Sequence, residues 1–155
     1  MLSKELQEFI EKNISLIEEN NYDVITGLYN EAFKADIEPG DLTRVLLTAG
    51  IDPLEYLDYI PWKYLAFNKD FEEFHIPENI TSIGTGAFFM SSIKTLYIPR
   101  SVTVFGEDCF SSSNIETIIF DGTRQDFMFI SDSGASDKQI TIVTKDSTFN
   151  FWGEW

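Results

Sequence analysis

The chain has 155 residues, 43% of them hydrophobic, with 14 Phe, 6 Tyr and 3 Trp; this excludes a disordered chain and supplies a core for one domain or two small ones. Twenty-six acidic against 11 basic residues leave a net charge of −15, which opposes contact with phosphate backbones and anionic lipid surfaces. No direct nucleic-acid or membrane partner is expected.

Met1, Leu2, Ser3, Lys4 and Glu5 open the chain with charges that recur every few positions, unlike the basic start and apolar run of an export signal. No apolar run approaches the roughly 20 residues that span a bilayer. A cytoplasmic location is expected, and the glycosylation sequons at Asn13 and Asn79 are then read as chance.

Leu6, Phe9, Ile10, Ile14 and Ile17 recur at helical spacing after a candidate N-cap at Ser3. Beyond Asn20-Asn21, the positions Val24, Ile25, Leu28, Tyr29, Ala32 and Phe33 repeat that stripe and predict a second helix ending near Ala35. Pro39-Gly40 is read as a turn, and Asp41 as the cap of a third helix carrying Leu42, Val45, Leu46 and Ala49, with Gly50 as its left-handed terminator. Asp52-Pro53 starts a short fourth helix through Leu57, which Ile60-Pro61 ends.

From Phe71 the sequence matches itself at a period of 22 residues. Phe71 falls on Ile93 and Ile115, Phe74 on Leu96 and Ile118, and Ile76 on Ile98 and Phe120. Pro77 meets Pro99, Gly84 meets Gly106, and Phe88 meets Phe110. A fixed period in this range, with apolar residues at constant offsets, marks a solenoid filled by a stacked apolar ladder. Gly84 and Gly106 are read as obligatory backbone turns, and the two prolines as strand stops.

Ile76-Pro77-Glu78-Asn79-Ile80-Thr81-Ser82-Ile83-Gly84, followed by Ala87-Phe88, resembles the BspA-like (bacterial surface antigen) class of leucine-rich repeat, and Ile98 to Phe110 is the next copy. Val104-Phe105 is a bulkier filling than Ser82-Ile83 at the same place. Phe120-Asp121-Gly122-Thr123-Arg124 looks like the step that ends such arrays, followed by the aromatic Phe127 and a closing strand over 139–144. The segment with Gly50-Ile51-Asp52-Pro53-Leu54 resembles the N-terminal caps of phage-encoded members. The resemblance implies an α+β chain in which a helical domain, 1–67, caps a leucine-rich repeat β-solenoid, 71–123, closed by a C-terminal cap, 124–155.

His75, Tyr97 and Ile119 share one repeat position between inward-pointing neighbours, so they form an outward column on the sheet, flanked by Glu73, Thr95 and Thr117. These six are the candidate protein-binding residues, joined by Trp152 and Trp155 of a tail whose aromatic rings either close the end of the solenoid or make a homo-oligomer contact. Cys109, the single cysteine, rules out an internal disulfide and falls one period after Ala87, in a slot suited to a small buried filler. No P-loop, G-x-S-x-G, H-E-x-x-H or EF-hand pattern occurs, and His75 has no second histidine to share a metal. No catalytic, cofactor or metal residues are expected.

The expected function is non-catalytic protein binding. The acidic excess, −8 over residues 1–70 and −7 over 71–155, has two readings. One is solubility through self-repulsion; the other is a surface that occupies the basic nucleic-acid groove of a host protein, as a phage-encoded inhibitor of nucleic-acid-handling or defence machinery would in the manner of an anti-CRISPR. The alternatives are a small carboxylate-dependent hydrolase, which needs only two of the abundant carboxylates in one cleft, and a structural or adhesion-type repeat protein.

Overall fold

A computed structural model describes residues 21–130 and 138–151, together with Lys4, Glu8 and Glu11. Of the first predicted helix only those three residues are described, each helical, and the rest of that expectation lies outside the described residues. The chain is α+β; from Asn21 onward the described residues form two helices followed by a β-solenoid. Helix α1, Asn21–Lys34, buries Ile25, Leu28, Tyr29 and Ala32, whereas Phe33 falls off that face and is 65% exposed. Helix α2, Pro39–Thr48, has Glu38 at its N-cap position and begins three residues earlier than a cap at Asp41 implies. Pro39 does not turn the chain; it occupies the first helical turn, where its missing N–H costs nothing, and the reversal is made by Asp36 at φ 59°. Gly50, at φ 83°, terminates α2 as expected. The fourth predicted helix is a single 3-10 turn, Pro53–Glu55, capped by Asp52, whose carboxylate accepts from the Leu54 N–H at 3.0 Å.

The remaining chain winds into coils. Strands β2 (Glu73–His75), β4 (Thr95–Ile98) and β6 (Thr117–Phe120) pair in parallel in a five-stranded sheet completed by β7 (Ile140–Val143) and β8 (Thr148–Phe151), the last antiparallel. Short strands β1 (Tyr59–Ile60), β3 (Ser82–Ile83) and β5 (Val104–Phe105) form a second parallel sheet. The third side of each coil is a run of turns that also hydrogen-bond between coils, Leu65 N–H to the Ala87 carbonyl at 2.7 Å and Phe88 N–H to Cys109 at 3.1 Å. The 22-residue register read from the sequence is the observed one, with Glu73, Thr95 and Thr117 in line and Ser82 opposite Val104.

Inside the coils the apolar ladder is complete. Ile76, Ile98 and Phe120 stack, as do Ile80 with Val102 and Ile83 with Phe105, and the Phe88 and Phe110 rings lie parallel, 6.4 Å between centroids. Gly84 and Gly106 each open a turn, accepting from the Ala87 and Cys109 N–H at 3.2 and 3.3 Å, but neither has the positive φ that would make glycine necessary there. They are places of contact between coils: a Cβ on Gly84 would lie 2.6 Å from the Ile60 carbonyl oxygen, and one on Gly106 2.5 Å from the Thr85 nitrogen. Glycine is required because the backbones touch. Gly40 serves the same purpose where α2 meets the Ala66 backbone, and the Asn79 side-chain amide donates to the Leu54 and Leu57 carbonyls at 2.8 and 2.6 Å. These contacts seat the helices on the first coil.

Helix α3, Arg124–Ile130, was not foreseen, although Thr123-Arg124-Gln125-Asp126 is a capping-box pattern. Thr123 Oγ1 accepts from the Asp126 N–H and the Asp126 carboxylate accepts from the Thr123 N–H, both at 3.1 Å, and that backbone bond holds the Asp126 carboxyl below the usual range. Phe127 is fully buried among Phe105, Phe120, Phe149 and Phe151, with centroids 5.4–5.9 Å away.

Two substitutions at glycine should have opposite signs. Gly106→Ala forces a methyl into the neighbouring backbone and should destabilise by about 1–3 kcal/mol, as overpacking does. Gly27→Ala, inside α1 with nothing within 4 Å of the added carbon, should stabilise by about 0.5–1 kcal/mol. Phe110→Ala should cost about 3–5 kcal/mol. Urea denaturation of the three variants checks all three signs and sizes.

Candidate functional site

Alternation along β4, β6 and β7 sends Leu96, Ile118 and Ile142 into the core and their neighbours out. The outward residues stand in two rows. One is Glu73, Thr95, Thr117 and Thr141; the other is His75, Tyr97, Ile119 and Val143. The six sheet residues singled out in the sequence are thus brought together on one face, while Trp152 and Trp155 lie outside the described residues. Thr141 and Val143 extend both rows and escaped the sequence reading because β7 is offset from β6 by 24 residues, which a search at 22 passes over. Their signal was the alternation of Ile140, Thr141, Ile142 and Val143.

His75 and Tyr97 stack face to face, centroids 3.9 Å apart and planes within 6°, and His75 Nε2 lies 3.3 Å from Glu73 Oε1. A groove of about 370 Å³ runs beside them over Ile119 and Val143, rimmed by Glu78, Asp121 and Lys145, the last two paired at 3.2 Å. A sheet face offering apolar and hydroxyl rows together with charged rim groups can hold a polypeptide surface.

A second groove, about 360 Å³, lies between α1 and the first coil, lined by Tyr29, Phe33, Pro39, Tyr59, Pro61 and Trp62. Phe33 and Trp62 meet edge to face at 5.4 Å, and the Lys63 ammonium lies 5.0 Å from the Trp62 ring centre. Sequence reasoning assigned Phe33 to the core because it continues the helical stripe by period alone. Among the described residues no cluster of His, Cys, Asp and Glu is arranged to hold a metal, and no helix is long and apolar enough to cross a membrane.

Cys109 is fully buried beside Phe110, and burial pushes its thiol well above the ordinary range. A thiol reagent at pH 8 should therefore leave the native protein unmodified and label Cys109 as fast as the chain unfolds in urea. Rapid labelling without denaturant would show the ladder to be open at that rung.

The family model described as the BspA type leucine rich repeat region (6 copies) matches residues 57–150, more than half of the chain. No curated protein and no solved structure matches it. The match begins just before β1 and runs nearly to the end of β8, so it covers every coil of the ladder. With that ladder spanned by the match, the chain belongs to the BspA-type leucine-rich repeat family, a protein-interaction type of fold.

Proposed function

We propose that the chain is a non-catalytic protein-binding module that meets its partner with the outward face of the five-stranded sheet. His75, Tyr97 and Ile119 form the contact, flanked by Glu73, Thr95 and Thr117. The observation that carries this reading is the pre-ordered row itself: the stacked His75–Tyr97 rings and the apolar groove beside them sit on paired strands rather than on loops, so little side-chain freedom is lost on binding. Aromatic residues at the centre of a rigid patch are the usual anchors of protein interfaces. Trp152 and Trp155 are proposed as a further contact, to partner or to a second copy.

The net charge of −15 supports a basic partner. In this reading the chain is an inhibitor in the cytoplasm of a host cell, phage-encoded, whose carboxylates replace phosphates in the nucleic-acid groove of a defence or nucleic-acid-handling protein. The division into cap, solenoid and closing segment serves that use by holding the face rigid.

Capture from host lysate with the full chain, followed by mass spectrometry, identifies the partner. Ile119→Asp should then abolish capture while leaving the melting temperature within a few degrees, and intact capture by that variant would rule out this face. Affinity for the partner should fall steeply between 0.1 and 1 M salt, where the Debye length drops from about 10 to about 3 Å, and the partner's own nucleic acid should compete. Salt-independent binding without competition would remove the mimic reading and leave the aromatic contact.

A further inference from the structure

The ring stack on the sheet face stops at Tyr97. His75 and Tyr97 project from neighbouring parallel strands and lie parallel at 3.9 Å, so both rings stand on edge across the strands. The next two positions in the row are Ile119 and Val143, which carry no ring. The face of Tyr97 turned away from His75 therefore looks along the row over shorter apolar side chains, and the groove of about 370 Å³, which runs beside both rings and over Ile119 and Val143, takes in this space. That volume is at the low end for a ligand site and suits one long side chain. Strands lie about 4.8 Å apart, so a planar group above Ile119 continues the stack at face-to-face distance.

We infer that this groove receives an arginine side chain of the protein partner. The inference rests on the proposed use of the sheet face and names the chemistry of what binds there. The guanidinium lies parallel to the open face of Tyr97, its methylenes cross Ile119 and Val143, and its N–H fork turns to the Glu78 or Asp121 carboxylate. Charge selects the occupant: two carboxylates and one lysine rim the groove on a chain of net charge −15. Asp121 is paired with Lys145 at 3.2 Å, both side chains exposed, the kind of contact that yields readily to a better one. Arginine fits where lysine does not, because its planar cation stacks on an aromatic face and donates two parallel bonds to a carboxylate, while a compact ammonium does neither as well.

The test is an NMR titration of the isotope-labelled full chain with the blocked peptide acetyl-Gly-Arg-Gly-amide and its lysine, citrulline and phenylalanine counterparts. The arginine peptide should shift the amides of Tyr97, Ile119 and Val143 and bind about five- to tenfold more tightly than the lysine or citrulline peptide. Tyr97→Leu should remove its advantage over lysine. The double variant Glu78→Gln, Asp121→Asn, which leaves the ring stack intact and guards against a Tyr97 variant that folds poorly, should remove its advantage over citrulline. Equal binding of arginine and lysine, stronger binding of phenylalanine, or no shift at those amides would each overturn the assignment. The two readings fail separately: a captured partner that is lost on Ile119→Asp while no arginine peptide binds keeps the protein-binding face and discards its arginine. Arginine binding with capture indifferent to Ile119→Asp places the partner elsewhere and so discards both the face and the partner's arginine, although the groove itself still takes the peptide.

Discussion

After 22 to 24 residues the backbone returns to within hydrogen-bonding distance of itself, and everything else in the molecule answers to that return. The first three coils bond to one another on all three sides, through the long strands, through the short strands and through the turns between them. At Gly84 and Gly106 main chains touch. The same stacking dictates the turns. Lys63, Gly86 and Asp108 occupy one left-handed position and Phe67, Met90 and Ser112 another, although only one of the six is glycine. A left-handed non-glycine residue costs roughly 1–2 kcal/mol, so the conformation persists only because the coils above and below hold it.

A stack of coils has two open ends, and the chain closes them by different means. At the first coil, packing of α2 through Gly40 and the two hydrogen bonds from Asn79 bring helices against the ladder. At the other end Phe127 takes the place that a further repeat would fill, one period after Phe105, and the rings of Phe149 and Phe151 pack around it. The antiparallel turn from β7 to β8 breaks the repeat direction, so the coil geometry does not propagate past that point.

The face that this scaffold presents follows from the same register. Because equivalent residues fall in line from strand to strand, one repeat position becomes a row, and a row holds side chains at fixed spacing before any partner arrives. His75 and Tyr97 show the effect, since neighbouring strands alone bring their rings into parallel contact. The acidic excess acts over longer distances than these contacts, since its field extends well beyond the groove beside Tyr97.

Inward and outward positions, the coil length and the equivalence of residues such as Phe88 and Phe110 are properties of a period, and a period is written in the sequence alone. Helix α1, Gly50 as terminator and the outward column of His75, Tyr97 and Ile119 followed from spacing for the same reason. Other features depend on what lies one coil away. Local spacing does not tell that Gly84 must be glycine because the Ile60 carbonyl lies against it, nor that Phe33, in line with the stripe of α1, meets the half-exposed Trp62 and stays at the surface. Thr141 and Val143 join the rows through a register of 24, which β-pairing selects and a constant period does not contain. Local spacing determines which face of each element is apolar; contact between segments distant in sequence decides where backbones touch, which left-handed turns are held and where the groove opens.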